Sequence, residues 1–442
     1  MRFYMTSAML AGLFAGAGAE AGSVETSLRP IIRPVAAITT DGATRQAGMT
    51  QGLRPALRPG DLTQDDVIVA SADPQFDRWV SGFRGRALSQ GIKAGLFERA
   101  FRGVRYNSEV IDRDRNQAEF KRQIWDYLDS AASPDRVSGG QAALRKHRRT
   151  LEAIERAYGV EAHVVAAVWG LESRYGTRMG DINVIEAMAT LAYDGRRGAF
   201  FEKQLIAALK ILQSGDVAPR DMTGSWAGAM GHTQFIPTSY LAYAVDATGD
   251  GKRDIWSDNP ADALASTAAY LKRFGWTRGM PWGVEVKVPA GMGASDTRRM
   301  PSDWAARGVV GMDGRPVRDY GAARLLMPAG PDGAKFLVFA NFDVIKRYNN
   351  ADAYAIGVGH LGDRIRGGAP IAASWPRGYT PVSFDERKEI QRHLQRMGYP
   401  LEKIDGLIGP NTRKSIAAFQ ESAGLAPDGN ASREVLEAIR RH

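Results

Sequence analysis

The chain has 442 residues, of which 44% are hydrophobic and 24% are charged. This balance is typical of a globular protein and excludes a largely disordered one. The absence of cysteine excludes disulfide bonds, thiolate metal sites and a lipid anchor on cysteine. The 58 lysines and arginines exceed the 49 aspartates and glutamates, so the net charge is +9 and favours a polyanionic partner.

The first 19 residues predict a secretory signal peptide. A short, weakly apolar run through Leu10, Leu13 and Phe14 precedes Ala-Gly-Ala at 17–19, a typical cleavage site ahead of Glu20. No later stretch reaches the roughly 18 uninterrupted apolar residues that suggest a transmembrane helix. We therefore expect a soluble, periplasmic protein without lipidation. Charge alone does not separate nucleic acid from the carboxylate-bearing cell wall, but an exported protein meets the wall.

Residues 20–72 predict a linker. Leu-Arg-Pro-Ile-Ile-Arg-Pro at 28–34 is followed by the similar Leu-Arg-Pro-Ala-Leu-Arg-Pro at 53–59. Arginine-proline repeats favour extended backbone and provide no core. The segment is either a plain tether or a docking peptide for a partner, such as an enzyme that acts on the cell wall.

The pattern from residue 73 to about 282 is helical. One amphipathic stripe runs through Phe76, Trp79, Val80 and Phe83, and the spacing predicts further helices over 118–131, 140–158, 160–176, 198–214 and 260–274. Alternating residues then predict short strands over 284–288, 325–327 and 336–339, before helix returns over 341–361. We expect a mainly α domain at 73–366 with a small β insertion, a connector at 367–379 and a small three-helix unit at 380–442.

The stretch 164–176 places an acid on an apolar face. Val165, Val168, Trp169 and Glu172 share one side of a helix that Gly176 is predicted to cap. Poor solvation beside an indole should raise the pKa of Glu172, which suits a general acid working near neutral pH. A surface glutamate at a frayed helix end is the alternative, and the local sequence does not decide between them.

A glycine-rich segment follows, Gly-Ser-Trp-Ala-Gly-Ala-Met-Gly at 224–231, with Gln-Phe-Ile-Pro at 234–237. Its glycines allow backbone to approach a ligand closely. Ser225 and Gln234 can bond hydroxyls and amides, while Trp226 and Phe235 can stack on sugar faces. Tight helix packing through small residues would explain the segment equally well.

Residues 246–254 resemble the first half of an EF-hand loop, with oxygen-bearing side chains at positions 1, 3, 5 and 9 and glycine at position 6. The pattern departs at position 12, where Ser257 replaces glutamate, so Asp258 or Asp262 would have to complete a calcium site. The candidate ligands are Asp246, Thr248, Asp250, Lys252 and Asp262. An Asx-turn loop without metal is the alternative, and no zinc or nucleotide pattern is present.

These segments occur in a specific order, with Glu-Ser-Arg-Tyr-Gly at 172–176, residues 190–197, the glycine-rich segment with Gln-Phe-Ile-Pro, and Tyr-Asn-Asn at 348–350. In this order and spacing, residues 73–365 resemble the B-type lytic murein transglycosylases, lysozyme-like enzymes of bacterial cell-wall turnover. The resemblance implies a mainly helical, lysozyme-like fold with a groove for glycan strands.

The resemblance also implies roles for individual residues. Glu172 would be the sole catalytic acid/base. Arg196 and Arg197 would face saccharide or a stem-peptide carboxylate. The residues implied to line the sugar subsites are Ser225, Gln234, Phe235, Tyr270, Tyr348, Asn349 and Tyr354. The calcium-like loop recurs in the family, with an aspartate corresponding to Asp262, whereas His232 occupies a variable position and is given no role.

The tail resembles a small helical peptidoglycan-binding domain, through Ile-Asp-Gly-Leu-Ile-Gly at 404–409, Ala-Ala-Phe-Gln at 417–420 and Asp-Gly at 428–429. Its predicted three-helix core contains Leu394, Ile416, Phe419, Leu425, Val435, Leu436 and Ile439. A unit of this size without disulfides or metal has modest stability.

The implied chemistry needs one carboxylic acid, because the substrate's N-acetyl group and C6 hydroxyl replace the second carboxylate of ordinary glycosidases. Asp181, Glu186 and Asp194 lie near in sequence but fit caps, solvated faces or ion pairs better. The function predicted is cleavage of peptidoglycan with 1,6-anhydromuramyl ends, by a monomer needing no cofactor for chemistry. A hydrolytic muramidase and a non-catalytic wall-binding scaffold are the alternatives.

Overall fold

The computed structural model of the protein describes residues 73–115, 123–377, 382–401, 403–406 and 408–442. The predicted signal peptide and Arg-Pro linker lie outside these residues. The first unit contains α1 (Pro74–Ser89), α2 (Ala94–Phe101), α3 (Ser108–Arg115), α4 (Ile124–Ala131), α5 (Pro134–Lys146), α6 (Arg148–Tyr158), α7 (Ala162–Ser173), α8 (Val184–Asp194), α9 (Gly198–Ser214), α10 (Pro237–Tyr243), α11 (Ala261–Arg273), α12 (Pro301–Ala305), α13 (Ala340–Tyr348) and α14 (Asp352–Ile365). Within the described ranges, none of the helices combines the length and the apolarity needed to cross a bilayer.

Helix α7 lies at the centre of the main hydrophobic core. Residues 164–173 are all buried, so the helix is enclosed on every side rather than along one stripe. It packs against α5, α6, α11 and α14. Close packing needs small residues, and a Cβ atom added at Gly170 would lie 2.5 Å from the Tyr175 hydroxyl oxygen. The acid predicted from the sequence is therefore carried by the most enclosed helix of the domain's centre.

The predicted β insertion is present and has its own core. Its strands are β3 (Gly283–Lys287), β4 (Ser295–Arg299), β5 (Val310–Gly311), β6 (Ala323–Leu326) and β7 (Phe336–Val338), after the short β1 (Ile182–Asn183) and β2 (Thr223–Gly224). The five form an antiparallel sheet in the order β4-β6-β7-β3-β5. Trp304, Leu337 and Phe339 contribute to the small core on this sheet. The insertion stacks onto the helical core through Phe336 and Val338, which belong to the main cluster.

The described part of the connector lies against the helical domain. The Glu285 carboxylate accepts hydrogen bonds from the backbone N–H groups of Ala372 and Ala373, each at 2.8 Å. Arg377 makes a bidentate ion pair with Asp129 at 2.6 and 2.9 Å. These contacts hold the segment before residue 378 along the surface of the first unit.

The C-terminal unit contains the three predicted helices α15 (Phe384–Arg396), α16 (Pro410–Ser422) and α17 (Arg433–Arg441). A capping box starts α15, where Ser383 and Glu386 exchange hydrogen bonds with each other's backbone. Every predicted core residue except Leu425 is buried, and Leu425 packs at the edge of the same cluster. The unit touches the β insertion, because the Asn430 amide donates to the Ala329 carbonyl at 3.4 Å.

Three predicted helices end or break elsewhere than expected. The helix expected over 140–158 is split at His147, whose ring packs edge-on to Trp169 with centroids 5.4 Å apart. The helix expected over 341–361 is split because Asn349 and Ala351 adopt extended backbone. Helix α7 ends at Ser173, so Arg174 rather than Gly176 is its cap. No glycine or proline lies at these three positions, so we attribute the breaks to tertiary contacts.

Candidate active site

Glu172 lies in the last turn of α7 and is buried, with 4% of its surface exposed. The Tyr354 hydroxyl, from the first turn of α14, donates a hydrogen bond to Glu172 Oε1 at 2.7 Å. The two residues are 182 positions apart in sequence, so only the packing of α14 on α7 brings them together. Of the tyrosines that the resemblance implies, Tyr354 is the one that donates a hydrogen bond to Glu172.

A second tyrosine near the acid was not found from the sequence. Burial raises the pKa of Tyr127 far above its usual value, and Glu172, when it is ionised, raises it further. Tyr127 therefore stays protonated at every physiological pH. Its only sequence signal is a position in a short amphipathic helix, α4, where a core role is the simpler interpretation.

The turn after the acid is conformationally strained. Arg174 and Tyr175 have φ angles of 49° and 58°, followed by Gly176 at 85°. Residues with a side chain rarely adopt this left-handed region, at a cost of about 1–3 kcal/mol each. The Tyr175 hydroxyl donates to the Arg136 carbonyl at 2.6 Å, and the Ser173 hydroxyl accepts from the Gly176 N–H at 2.9 Å. Such a turn persists because the surrounding packing fixes it, and here it lies beside the candidate acid.

The glycine-rich segment forms a tight backbone structure next to α7. Gln234 also has a left-handed backbone, with a φ angle of 56°, and its side-chain NH₂ donates to the carbonyls of Met179 and Gly231 at 2.9 and 2.8 Å. The Ser225 hydroxyl accepts from the Ala229 N–H at 3.1 Å. A Cβ at Gly231 would lie 2.2 Å from the Ile255 carbonyl oxygen, so only glycine fits there. The segment is therefore tightly packed, as the second alternative expects, and its contact with a ligand stays a prediction.

Three of the aromatic candidates belong to the core. Phe235 is fully buried and packs against Tyr270 and Tyr348, with ring centroids 5.9 and 5.8 Å apart. The Tyr270 hydroxyl donates to the Arg347 carbonyl and the Tyr348 hydroxyl to the Thr233 carbonyl. The expectation that Phe235 stacks on a sugar disagrees with the structure, because the ring of Phe235 is enclosed by protein. Tyr348 and the buried Asn349 lie at the break between α13 and α14.

Arg196 and Arg197 have a protein partner. Both guanidinium groups form ion pairs with the carboxylate of Asp114, at 2.5 and 2.7 Å, and Asp114 is 2% exposed. Arg197 also lies over the ring of Phe201, 5.0 Å from its centroid. The pairing joins the end of α3 to the start of α9, and contact of the half-exposed Arg196 with a substrate carboxylate stays a prediction.

The nearby acids behave as the sequence predicted. Glu186 accepts hydrogen bonds from the Asn107 amide at 2.9 Å and the Arg105 N–H at 3.3 Å, and Asp194 pairs with Arg115 at 2.7 Å. Asp181 is exposed. The remaining buried carboxylates in the described ranges are Asp114, Asp216 and Asp262, and each is bonded to arginine or to backbone N–H groups. Each of these acids thus has partners of its own.

The candidate metal loop brings three of its predicted ligands together. One carboxylate oxygen each of Asp246, Asp250 and Asp262 lies within 4.8 Å of the others. Asp262, at the start of α11, accepts from the backbone N–H groups of Ala247, Thr248 and Asp254 at 2.9, 3.1 and 2.9 Å. Burial raises the pKa of Asp262, and the charge of Asp246 adds to this rise. Thr248 bonds Asp246 through its hydroxyl at 3.2 Å, and Lys252 donates its N–H to Asp250.

Two families match the sequence. The family described as "Transglycosylase SLT domain" matches residues 75–363, and the family described as "Putative peptidoglycan binding domain" matches residues 384–439. Membrane-bound lytic murein transglycosylase B from Escherichia coli strain K12 is 32% identical over 246 residues. That alignment covers 54% of this chain and 66% of the relative, so the chain spans just under two thirds of the length of that protein.

Solved structures agree with the sequence matches. SltB3 from Pseudomonas aeruginosa, solved in complex with NAG-anhNAM-pentapeptide, is 48% identical, with a TM-score of 0.80 over 83% of this chain and 100% of that one. The Escherichia coli lytic transglycosylase Slt35 in complex with calcium is 28% identical, with a TM-score of 0.58 over 69% of this chain and 97% of that one. The predicted fold, mainly α with a lysozyme-like domain and a helical C-terminal domain, is thereby confirmed. The chain belongs to the SLT-domain family of lytic transglycosylases and carries a peptidoglycan-binding domain.

Proposed function

We propose that this protein is a lytic transglycosylase that cleaves the β-1,4 bond between N-acetylmuramic acid and N-acetylglucosamine in peptidoglycan, with Glu172 as its single acid/base. Family membership and the 48% identity to a protein solved with an anhydromuramyl ligand support the reaction class. The observation that carries the role of Glu172 is its buried carboxylate at the end of α7, held by the Tyr354 hydroxyl.

The first step breaks the glycosidic C–O bond. Glu172 donates its proton to the leaving oxygen, and the substrate's N-acetyl oxygen stabilises the positive charge that develops at the muramyl carbon. Burial favours the protonated carboxylic acid that this step requires. Tyr354, which keeps its hydroxyl on Oε1, orients the carboxyl group while the proton leaves.

The second step closes the ring. The Glu172 carboxylate takes the proton of the muramyl C6 hydroxyl, and O6 attacks the same carbon to form the 1,6-anhydro bond. This returns Glu172 to its protonated state without consuming water. The hydrogen bond from Tyr354 stabilises the carboxylate between the two steps, because hydrogen bonds to an ionised acceptor are stronger than those to a neutral one.

Three polar residues are the best-supported candidates for binding the substrate. Ser225, Gln234 and Asn349 offer polar groups beside the break between α13 and α14 and along the glycine-rich segment. The C-terminal domain, which contacts the β insertion through Asn430, is proposed to hold peptidoglycan while the first domain cleaves it. Peptidoglycan lies in the periplasm, to which the predicted signal peptide would direct the chain.

The loop at 246–262 is proposed to bind a structural calcium ion. The fit rests on three carboxylates whose oxygens lie within 4.8 Å of one another, because oxygen ligands of this kind are those that calcium prefers. Asp246, Asp250 and Asp262 would supply carboxylate oxygens, with Thr248 and the Lys252 carbonyl as further oxygens. The solved relative with calcium supports the same assignment. The ion would steady the loop and has no part in the bond cleavage.

The experiment that tests the proposal is mass spectrometry of muropeptides released from purified sacculi, by the wild-type protein and by Glu172→Gln. We expect products that carry anhydromuramyl ends and weigh one water less than the hydrolytic products, and no release by the variant. Reducing muramyl ends would contradict the proposal and identify a hydrolase. Wall binding without any release by the wild type would identify a binding scaffold.

A further inference from the structure

His232, to which the proposed mechanism gives no role, lies buried between the end of α7 and the segment after the aspartate loop, with 5% of its surface exposed. The Trp169 indole donates to His232 Nδ1 at 3.2 Å, and His232 Nε2 lies 2.7 Å from the Ser257 carbonyl oxygen. An indole N–H can only donate, so Nδ1 must accept and Nε2 must carry the proton. The two neighbours therefore select one neutral tautomer.

The backbone of the same residue makes two more connections. The His232 N–H donates to the Ile255 carbonyl at 2.9 Å, and the His232 carbonyl accepts from the Ser173 hydroxyl at 2.5 Å. One residue thus joins two points on α7, at 169 and 173, to two points on the segment 255–257. Four directed hydrogen bonds leave this junction little freedom to shift.

The two points on α7 flank the acid. Trp169 and Ser173 are four residues apart, one helical turn, and Glu172 lies between them. The strained turn beyond Ser173 also rests on the histidine, since a Cβ at Gly176 would lie 2.5 Å from the imidazole ring. Tyr354, from α14, holds Glu172 itself through its hydroxyl. The end of α7 is thus held between α14 and the His232 junction.

We infer that His232 is a positioning residue, which fixes the last turn of α7 and, through it, the direction of the Glu172 carboxylate. It also transmits the order of the segment 255–257 to the acid, whether or not the neighbouring loop holds a metal ion. The inference rests on Glu172 being the acid/base of the proposed function. Its effect belongs to the bond-breaking steps, because His232 is enclosed by protein and acts through α7.

The kinetic test compares His232→Phe and His232→Gln with the wild type, using initial rates on soluble glycan strands. Misplacing a reacting group by about 1 Å costs up to about 100-fold, so His232→Phe should lower kcat by about 10- to 100-fold. KM should remain close to the wild-type value. Glutamine offers one acceptor and one donor, so His232→Gln should recover part of the loss.

A matched control is His163→Gln, which changes a histidine at the first turn of the same helix. The His163 ring faces Gly362 on α14, at the opposite end of α7 from Glu172. This control should keep kcat within about twofold of the wild type, as is usual for residues remote from the chemistry. An equal loss of kcat in both variants would overturn the inference, because it would reflect general damage to α7.

A spectroscopic readout separates positioning from mere stability. The indole N–H resonance of Trp169, assigned with Trp169→Phe in protein labelled with ¹⁵N-tryptophan, should move when His232 is replaced by Phe. Trp169→Phe itself keeps an aromatic ring but loses the donor, so it should lower kcat with KM retained. This variant and His232→Gln carry the test if His232→Phe does not fold.

An unchanged kcat per folded molecule in these variants would overturn the inference. Turnover by Glu172→Gln near the wild-type rate would instead overturn the proposed function. The two failures are distinguishable, because the tryptophan resonance reports the His232 contact in the absence of substrate.

Discussion

Glu172 and Asp262 are both buried carboxylates, 4% and 2% exposed, but they are held in different ways. Three backbone N–H groups donate to Asp262, whereas a side-chain hydroxyl from another helix donates to Glu172. Backbone N–H groups cannot reorient when the charge of the Asp262 carboxylate changes, unless the loop is distorted. A tyrosine hydroxyl can rotate, so it serves both the protonated and the ionised form of its partner. The difference separates a carboxylate that fixes a loop from one that can exchange a proton.

The largest expected effect tests the Glu172 side of this comparison. Glu172→Gln keeps the shape and the hydrogen bond from Tyr354 but cannot exchange a proton, so turnover should fall by about 10²- to 10⁴-fold. Binding to sacculi should be retained in a pull-down assay. Glu186→Gln is the matched control, since its partners are backbone and amide groups away from the acid. Turnover by the glutamine variant near the wild-type rate would remove the distinction between the two carboxylates.

For Asp262, the comparison predicts that a substitution lowers the stability of the protein rather than its catalytic activity. Asp262→Ala removes the shared acceptor of three part-buried backbone N–H groups, and each hydrogen bond to a charged group contributes at most about 1.5–3 kcal/mol, less where water can replace the acceptor. We expect the free energy of unfolding to fall by about 3 kcal/mol, measured by urea denaturation.

Calcium provides the second readout on the same loop. Calcium at about 100 times its dissociation constant should stabilise the wild-type protein by about 2.7 kcal/mol, and Asp262→Ala should lose this gain. Thermal denaturation with calcium or EGTA measures the difference. Equal melting temperatures of the wild type under both conditions would contradict calcium binding, while the stability loss in Asp262→Ala is expected even without the ion.

Tyr354→Phe sharpens the comparison with a smaller change. The variant removes the hydroxyl from Glu172 and keeps the ring, and a hydrogen bond to a charged group contributes about 1.5–3 kcal/mol. We expect kcat to fall at least about tenfold while the protein keeps its fold. Tyr240→Phe is the matched control, since its buried hydroxyl donates to the Arg253 carbonyl at 2.5 Å. Equal kinetics of the two variants would mean that the contact at Glu172 has no special role.

The smallest effect concerns pH and the protein as a whole. Burial lowers the pKa of His147, His163, His232 and His360 below the ordinary value of 6.5. The unfolded chain then binds these protons more readily than the folded one, so stability is complete above pH 6.5 and is lost as the pH falls towards the folded-state values. Urea denaturation at pH 8 and pH 5.5 should show the loss, and His360→Gln should reduce it. A stability that rises on acidification over this range would contradict the prediction.

The segments that could be recognised from the sequence are those whose chemistry requires particular residue types at a particular spacing. Glu172, the glycine-rich segment and the aspartate loop each have residue types and spacing that few other structures require. Helix α9 was predicted with its observed limits, because its apolar periodicity is regular and Gly215 ends it. The three-helix core of the C-terminal unit was predicted for the same reason.

The substrate-binding residues were harder to predict. Phe235 and Tyr348 have aromatic rings of the kind that stack on sugars, but both rings are buried in the hydrophobic core. Arg196 and Arg197 have the charge to bind a carboxylate, but they are paired with Asp114, about 80 residues earlier in the chain. Whether an aromatic or cationic side chain faces a groove or the interior depends on which helices pack over it, and a single sequence does not encode that locally.

The sequence by itself determined the family, the helical class and the position of the acidic loop, because local periodicity and motif spacing survive without tertiary context. The role of Glu172 as the acid stays a prediction from the same motifs. Only the tertiary structure decided that Tyr354, rather than Tyr348 or Tyr270, donates a hydrogen bond to Glu172. It also decided that α7 ends at a strained turn and that His232 joins this turn to residues 255–257. These decisions depend on contacts between residues tens to hundreds of positions apart. Their geometry is set by how whole helices pack, to within an ångström, and not by the residues that lie next to them in the chain.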